Sequence, residues 1–174
     1  MNRPTRIMAA LVLVLSCIGC DQATKRVALE RLRDEGRISL LSDTIRIEYV
    51  ENEGGFLGLA AAASPRTRFV LLTVMTGALL AVVAWMLMRQ KPMDAPAAAA
   101  LALVLGGGLG NWIDRIAREG RVVDFLNVGL GSVRTGIFNV ADMAITAGVV
   151  LLFLSGSARR DDARELQGAR DGSR

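Results

Sequence analysis

The stretch FVLLTVMTGALLAVVAWMLM (69–88) carries no charge over 20 residues. At about 1.5 Å per residue, such a helix reaches across roughly 30 Å of hydrocarbon. APAAAALALVLGGGLGNWI (95–113) is a second uncharged segment, of 19 residues. A third, 135–158, has 24 residues and one charge, Asp142. The first apolar stretch, Ile7–Cys20, has only 14 residues. It spans a bilayer only if its helix continues through Asp21 and Lys25 towards Leu32. Together the four stretches hold 77 of the 174 residues but one of the 38 charges. A soluble domain mixes charge into each amphipathic helix. This segregation therefore predicts an all-α integral membrane protein with four transmembrane helices. It excludes a disordered chain and argues against a soluble enzyme.

Outside the spans, residues 45–49 (IRIEY) alternate apolar and polar, the pattern of a half-buried strand. Residues 38–42 (ISLLS) are placed to pair with it across a turn at Asp43 and Thr44, so a small extracytoplasmic β-sheet is expected. Residues 1–158 read as one four-helix membrane domain, and 159–174 as a flexible charged cytoplasmic tail. Arg3 and Arg6 followed by 7–20 also resemble the n- and h-regions of a secretory signal. With three further spans behind it, an uncleaved first helix is the preferred reading. The short basic N-terminal tail favours both termini in the cytoplasm.

The chain has no histidine. That removes His-dependent nucleophilic catalysis and His-ligated metal sites. Cys17 and Cys20 form a C-x-x-C, read here as helix packing rather than redox chemistry. The basic residues are scattered, unlike a nucleic-acid footprint.

The polar residues within the apolar segments carry the chemistry. A carboxylate in a span is costly and marks a functional site by default. Asp142, in FNVADMAI (138–145), is the clearest case; an interfacial or ion-paired carboxylate is the bland alternative. Asp124 lies in VVDF (122–125), a short apolar run that suits a strand or a re-entrant piece at the membrane surface. Gly129, Gly131 and Gly136 between them allow the chain to turn back. Two carboxylates brought together cannot both ionise, so they share a proton and can act as general base and general acid on a water. GGGLGNWIDR (106–115) combines a small-residue face at Gly106 and Gly110 with Asn111, Asp114 and Arg115. Such a face admits either another helix or a substrate backbone. In DQATK (21–25), Asp21 and Lys25 are one helical turn apart, which suits a salt bridge. ENEGGFL (51–57) reads by itself only as a turn.

Taken together, DQATK (21–25), ENEGGFLGL (51–59), GGGLGNWIDR (106–115), VVDF (122–125) and FNVAD (138–142) resemble the lipoprotein signal peptidase (signal peptidase II) family. The pieces occur in the family's order, from about Arg6 to Leu154. The resemblance implies an aspartic endopeptidase of the bacterial cytoplasmic (inner) membrane. It would remove signal peptides from diacylglyceryl-modified prolipoproteins, cutting just before the lipidated cysteine. It places the catalytic pair on Asp124 and Asp142. The substrate-binding or supporting positions fall on Asp21, Lys25, Asn52, Gly54, Asn111, Asp114, Arg115 and Asn139. It also implies inhibition by the cyclic peptide globomycin, an active site near the outer face and a short surface helix, for which 26–35 is the candidate. Membrane lipid and prolipoproteins are the expected partners of a monomer, with no nucleic acid and no metal or organic cofactor. One departure is that many members read N-x-G-A-A-F, whereas here Asn52 is followed by E-G-G-F and Phe56 comes one position early. Small substrate residues are expected to fit the glycine face at 106–110, with Asn111 and Arg115 holding substrate carbonyls. The rival readings are a transporter or channel subunit using Asp142, a non-catalytic scaffold, and a lipoprotein itself cleaved before Cys17 or Cys20.

Overall fold

The computed structural model describes residues 2–34, 36–53, 64–89 and 93–171. Four helices and four strands are ordered α1 (Arg3–Leu32), β1 (Ile38–Leu40), β2 (Ile45–Asn52), α2 (Pro65–Met88), α3 (Ala95–Ala117), β3 (Val122–Leu130), β4 (Val133–Arg134) and α4 (Val140–Asp171). Three helices, α1, 69–88 of α2, and α3, are long and apolar enough to cross a membrane; the apolar part of α4, Val140–Gly156, is shorter.

Each span has a chemical reason for its start. The Asn2 side chain accepts from Thr5 N at 3.0 Å, Ser64 from Thr67 N at 3.2 Å, and Asp94 from Ala97 N at 3.2 Å. These caps satisfy amides that the first helical turn leaves without partners. α1 runs unbroken for 30 residues, which resolves the shortness of its apolar stretch. It does not stop to form a separate surface helix at 26–35. α4 likewise continues as helix through 159–171, where the sequence suggests a flexible tail.

α3 is the centre of the bundle. It packs against α1, α2 and α4, while α1 and α2 barely meet. Consecutive glycines make this geometry. A Cβ on Gly106 would meet Cys17 and Val14 of α1, one on Gly107 would meet Ala141, Ala144 and Ile145 of α4, and one on Gly108 would meet Leu80 of α2. A Cβ on Gly110 would strike the Asp21 carboxylate. The small-residue face is therefore consumed by neighbouring helices, and the expectation that substrate residues lie on it is corrected. Close approach of this kind is what holds helices together where lipid removes the hydrophobic drive.

The outward faces are apolar. Met8, Leu11, Val12 and Leu15 of α1, Val74, Met75 and Leu79 of α2, and Val149, Val150, Phe153 and Leu154 of α4 are all exposed. A belt this large marks a surface that contacts lipid rather than water. The protein is a multi-pass membrane protein.

The sheet has order β1-β2-β3-β4 and is antiparallel throughout. The expected pairing of 38–42 with 45–49 is present, with Ile38 opposite Ile47 and Leu40 opposite Ile45. The turn between them is tied by Thr44 N donating to Leu41 O at 3.1 Å. β2 continues to Asn52, so Asn52 is a strand residue and not part of a turn. β3 lies beside β2, with Val50 opposite Asp124 and an irregularity in the register between Ile47 and Val50. One face of β3 (Val123, Phe125, Asn127) is buried; Phe125 packs on Ala28 and Leu32 of α1. The other face runs from Asp124 through Leu126 to exposed Val128 and Leu130.

Gly107→Ala should lower stability by about 1–3 kcal/mol, because the added methyl meets α4 backbone. Gly19→Ala, where nothing lies within 4 Å, should be neutral or slightly stabilising. Thermal unfolding of both purified variants in one detergent compares them.

Candidate active site

The site forms where the C-terminal halves of α1 and α3, the start of α4 and the strands β2 and β3 meet. Its foundation is Lys25, 1% exposed. A buried ammonium must be paired and hydrogen-bonded to be tolerated. Its three donors are all used: Asp21 Oδ2 at 2.8 Å, Asp114 Oδ2 at 3.0 Å and Asn111 Oδ1 at 2.8 Å. The expected Asp21–Lys25 pair is present, and Asp114 pairs with Lys25 as well.

The two carboxylates then reach outward. Asp21 Oδ1 accepts from Ala141 N at 2.9 Å, and Asp114 Oδ2 accepts from Val123 N at 3.1 Å. Ala141 and Val123 are the residues immediately before Asp142 and Asp124. The ion triad thus grips the backbone one residue ahead of each candidate catalytic carboxylate. Gln22, which sequence reasoning passed over within DQATK, closes the cluster. Its Nε2 donates to Asp114 Oδ1 at 3.2 Å and to Gly110 O at 3.1 Å.

Asn139 joins the carboxylate pair. Its Nδ2 donates to Asp124 Oδ1 at 2.7 Å, and its Oδ1 accepts from Asp142 N at 2.9 Å. Asp142 Oδ2 accepts in return from Asn139 N at 3.1 Å. This reciprocal pattern is a capping box, with Asn139 as N-cap and Asp142 three residues on. The FNVAD motif is therefore both the start of α4 and half of the site. Asn111 Nδ2 donates to Asp142 Oδ1 at 2.8 Å, and Asn52 Nδ2 donates to Asp124 Oδ2 at 2.9 Å.

Asn111 Oδ1 accepts from both Lys25 and Asn139, while its Nδ2 spends one N–H on Asp142. Arg115 is differently placed. Its guanidinium interacts with the charges of Asp142, Asp124 and Asp114, and its buried Nε has no hydrogen-bond partner among the described residues. Gly54 and Phe56 lie outside the described residues.

Asp124 is 3% exposed and Asp142 half-buried. Burial, with help from the nearby Asp142 charge, pushes the Asp124 carboxyl up to about 6 against the opposing hydrogen bonds from Asn52 and Asn139. A carboxyl in that range can donate or accept a proton near neutrality. Asp142 opens into a groove of about 640 Å³ formed by 135–138 and by Met143, Thr146 and Ala147 on α4.

Sequence reasoning also missed a second polar tie beneath the sheet. Arg134 donates to Asn127 Oδ1 and, through Nη1, to Asp43 O at 2.7 Å, while the Asp43 carboxylate holds Arg46 and accepts from Ser39 at 2.7 Å. This pins the β1–β2 turn, whose Leu41, Ser42 and Asp43 all have positive φ, to the β3–β4 hairpin. Only the charged residues themselves could have signalled it.

A helical membrane core, joined to a small antiparallel sheet and holding two hydrogen-bonded carboxylates where they meet, defines a multi-pass membrane protein with a polar site at one end of its bundle. A solved bacterial membrane enzyme has the same fold, with a TM-score of 0.75 at 24% identity over 90% of this chain and 92% of its own. The family described as signal peptidase (SPase) II matches residues 13–157. The chain belongs to the signal peptidase II family, a family of peptidases. Relatives named lipoprotein signal peptidase include that of Sphingopyxis alaskensis, 42% identical over 84% of this chain and 80% of the relative. That of Pelodictyon phaeoclathratiforme is 40% identical over 82% and 86%, and that of Syntrophotalea carbinolica 34% over 83% and 88%.

A carboxyl raised above its usual range binds its proton more tightly folded than unfolded. Its contribution to stability is therefore lost as pH rises from the unfolded value, near 4, to about 6. Wild type should lose stability across that window, and Asp124→Asn should lose less of it, as read from melting temperatures in detergent at a series of pH values.

Proposed function

We propose that this protein is an intramembrane aspartic endopeptidase that removes signal peptides from diacylglyceryl-modified bacterial prolipoproteins, cutting just before the lipidated cysteine. The observation that carries this reading is the pair Asp124 and Asp142, joined through Asn139, with Asp142 opening into the groove beside α4. Two such carboxylates sharing one proton activate a water: one takes its proton and the other protonates the scissile carbonyl oxygen. Arg115, with an unsatisfied donor and a place beside both carboxylates, is suited to bind a substrate carbonyl.

The surroundings fit a substrate that is part lipid. The groove continues along an α4 face that carries exposed Met143, Val149, Val150 and Phe153. The open sheet face beyond Asp124 is apolar through Leu126, Val128, Leu130 and Val133. A signal helix and acyl chains would lie against the first in lipid, with the peptide beyond the cut on the second.

The family points to the bacterial inner membrane, and the distribution of charge supports both termini in the cytoplasm and the site near the outer face. Arg3 donates to Met88 O and Arg6 to Arg89 O at 2.8 Å, and Arg89 stacks on Trp85 at 4.3 Å. This basic cluster lies at the helix ends opposite the carboxylates, where the positive-inside tendency places the cytoplasm. Residues 159–174 act as its flexible charged cytoplasmic tail, Gly54 is carried over from the family as a substrate-binding or supporting position, and the working unit is a monomer.

Asp124→Asn and Asp142→Asn should each cut a purified diacylglyceryl-modified prolipoprotein at least about a thousandfold more slowly than wild type while melting cooperatively. An unlipidated version of the substrate should resist the wild-type enzyme. A gel shift reads both, and near-normal turnover by both variants would overturn the dyad.

A further inference from the structure

We propose, resting on the dyad chemistry above, that Lys25 is a positioning residue. It orients the Asn111 amide so that its N–H points at Asp142, which makes Asp142 the charged member of the pair and Asp124 the protonated one.

Lys25 cannot touch a substrate, since all three of its donors are used inside the protein at 2.8–3.0 Å. An ammonium only donates, so the Asn111 atom facing it must be the carbonyl oxygen. The other end of that amide, Nδ2, then necessarily faces Asp142 Oδ1, at 2.8 Å. Asn139 enforces the same sense. The Asp142 backbone N–H also only donates, so it requires Asn139 Oδ1, which turns Asn139 Nδ2 towards Asn111 Oδ1 at 3.1 Å and Asp124. Both amide orientations are thus dictated by groups that have no acceptor.

The consequence for charge is unequal. A donor aimed at a carboxylate favours its ionised form, and a donor whose own carbonyl is bound to a cation is polarised further. Asp142 receives that donor from α3, the Asn139 backbone N–H at 3.1 Å and the positive end of α4, and it faces Arg115 of α3. Asp124 sits on a strand at 3% exposure, receives the amides of Asn52 and Asn139, and faces the Asp142 charge and, less strongly than Asp142 does, Arg115. Lys25 of α1 also acts on Asp124, as the last and smallest of the influences on its carboxyl.

The roles then separate. Asp142 takes a proton from water as the water oxygen bonds to the carbonyl carbon, and Asp124 gives its proton to the carbonyl oxygen. In the resulting gem-diol, Asp142 passes its proton to the amide nitrogen and the C–N bond breaks. One hydroxyl returns a proton to Asp124, so the pair ends as it began.

The test is the titration of the pair in the purified full-length protein. Infrared difference spectroscopy reads protonated carboxyls, and the pair's signal is what the Asp124→Asn/Asp142→Asn double variant lacks. In Lys25→Met and in Asn111→Leu, the lower of the pair's two protonation steps should move up by about one pH unit. The acid limb of the cleavage profile should move with it. Asn111→Leu leaves the Asp21–Lys25–Asp114 triad in place and decides the matter if Lys25→Met does not fold. An unmoved lower step in folded Asn111→Leu overturns the proposal, as does an unmoved step in folded Lys25→Met. A moved step in a protein that cuts no lipidated substrate would uphold the proposal and refute the peptidase reading.

Discussion

The ammonium of Lys25, buried between Asp21, Asp114 and Asn111, is the interaction on which the rest of the structure depends. Charges taken out of water are costly, and their mutual attraction recovers that cost only when the geometry and remaining hydrogen bonds are complete. Here they are complete because the leftover lone pairs of the carboxylates are spent on Ala141 N and Val123 N. The same bonds that make the charges tolerable also place the backbone of both candidate catalytic residues. Stability and site geometry are one network, built from α1, α3, α4 and β3.

The bundle supports this by bringing backbones unusually close. Because Gly106, Gly107 and Gly108 face α1, α4 and α2 in turn, α3 serves three neighbours within a single helical turn. Gly110 then leaves room for the Asp21 carboxylate itself. Trp112 adds a polar anchor on the α2 side, its Nε1 donating to Thr73 O at 2.9 Å. The asparagines complete the design. Asn52, Asn111 and Asn139 come from a strand, a helix interior and a helix cap, and each supplies an amide N–H to a carboxylate.

Much of this was legible in the residues. Uncharged runs of about 20 disclose spans because hydrocarbon tolerates little else. Asp124 and Asp142 stood out because an acidic group amid Val, Phe, Ala and Met needs a reason. The alternation in IRIEY placed β2. What was not legible is what depends on distant partners. β3 pairs with residues some 75 positions away, and nothing local says that Asn52 ends a strand rather than opening a turn. The glycine face could be read as a docking place for a helix or a substrate, and only packing against three helices decides between them. Gln22 and the Arg134–Asn127–Asp43 tie are polar residues of unremarkable spacing whose roles arise only in three dimensions.

The single continuous α1 has a bearing on how the protein is made. It leaves the ribosome ahead of α3 and α4, and it carries Asp21 and Lys25 towards the bilayer before either of them exists. One helical turn apart, with the acid preceding the base, the two can neutralise each other on α1 alone. The helix therefore brings its own counter-ion and can wait at the interface as an independent unit, as stepwise assembly of membrane helices requires. When α3 arrives, Asp114 and Asn111 join the pair. Asp21 acquires its bond to Ala141 N only when α4 is in place. The two candidate carboxylates are thereby brought together only after α1, α3 and α4 have packed, so a chain still lacking α4 holds Asp124 without its partner.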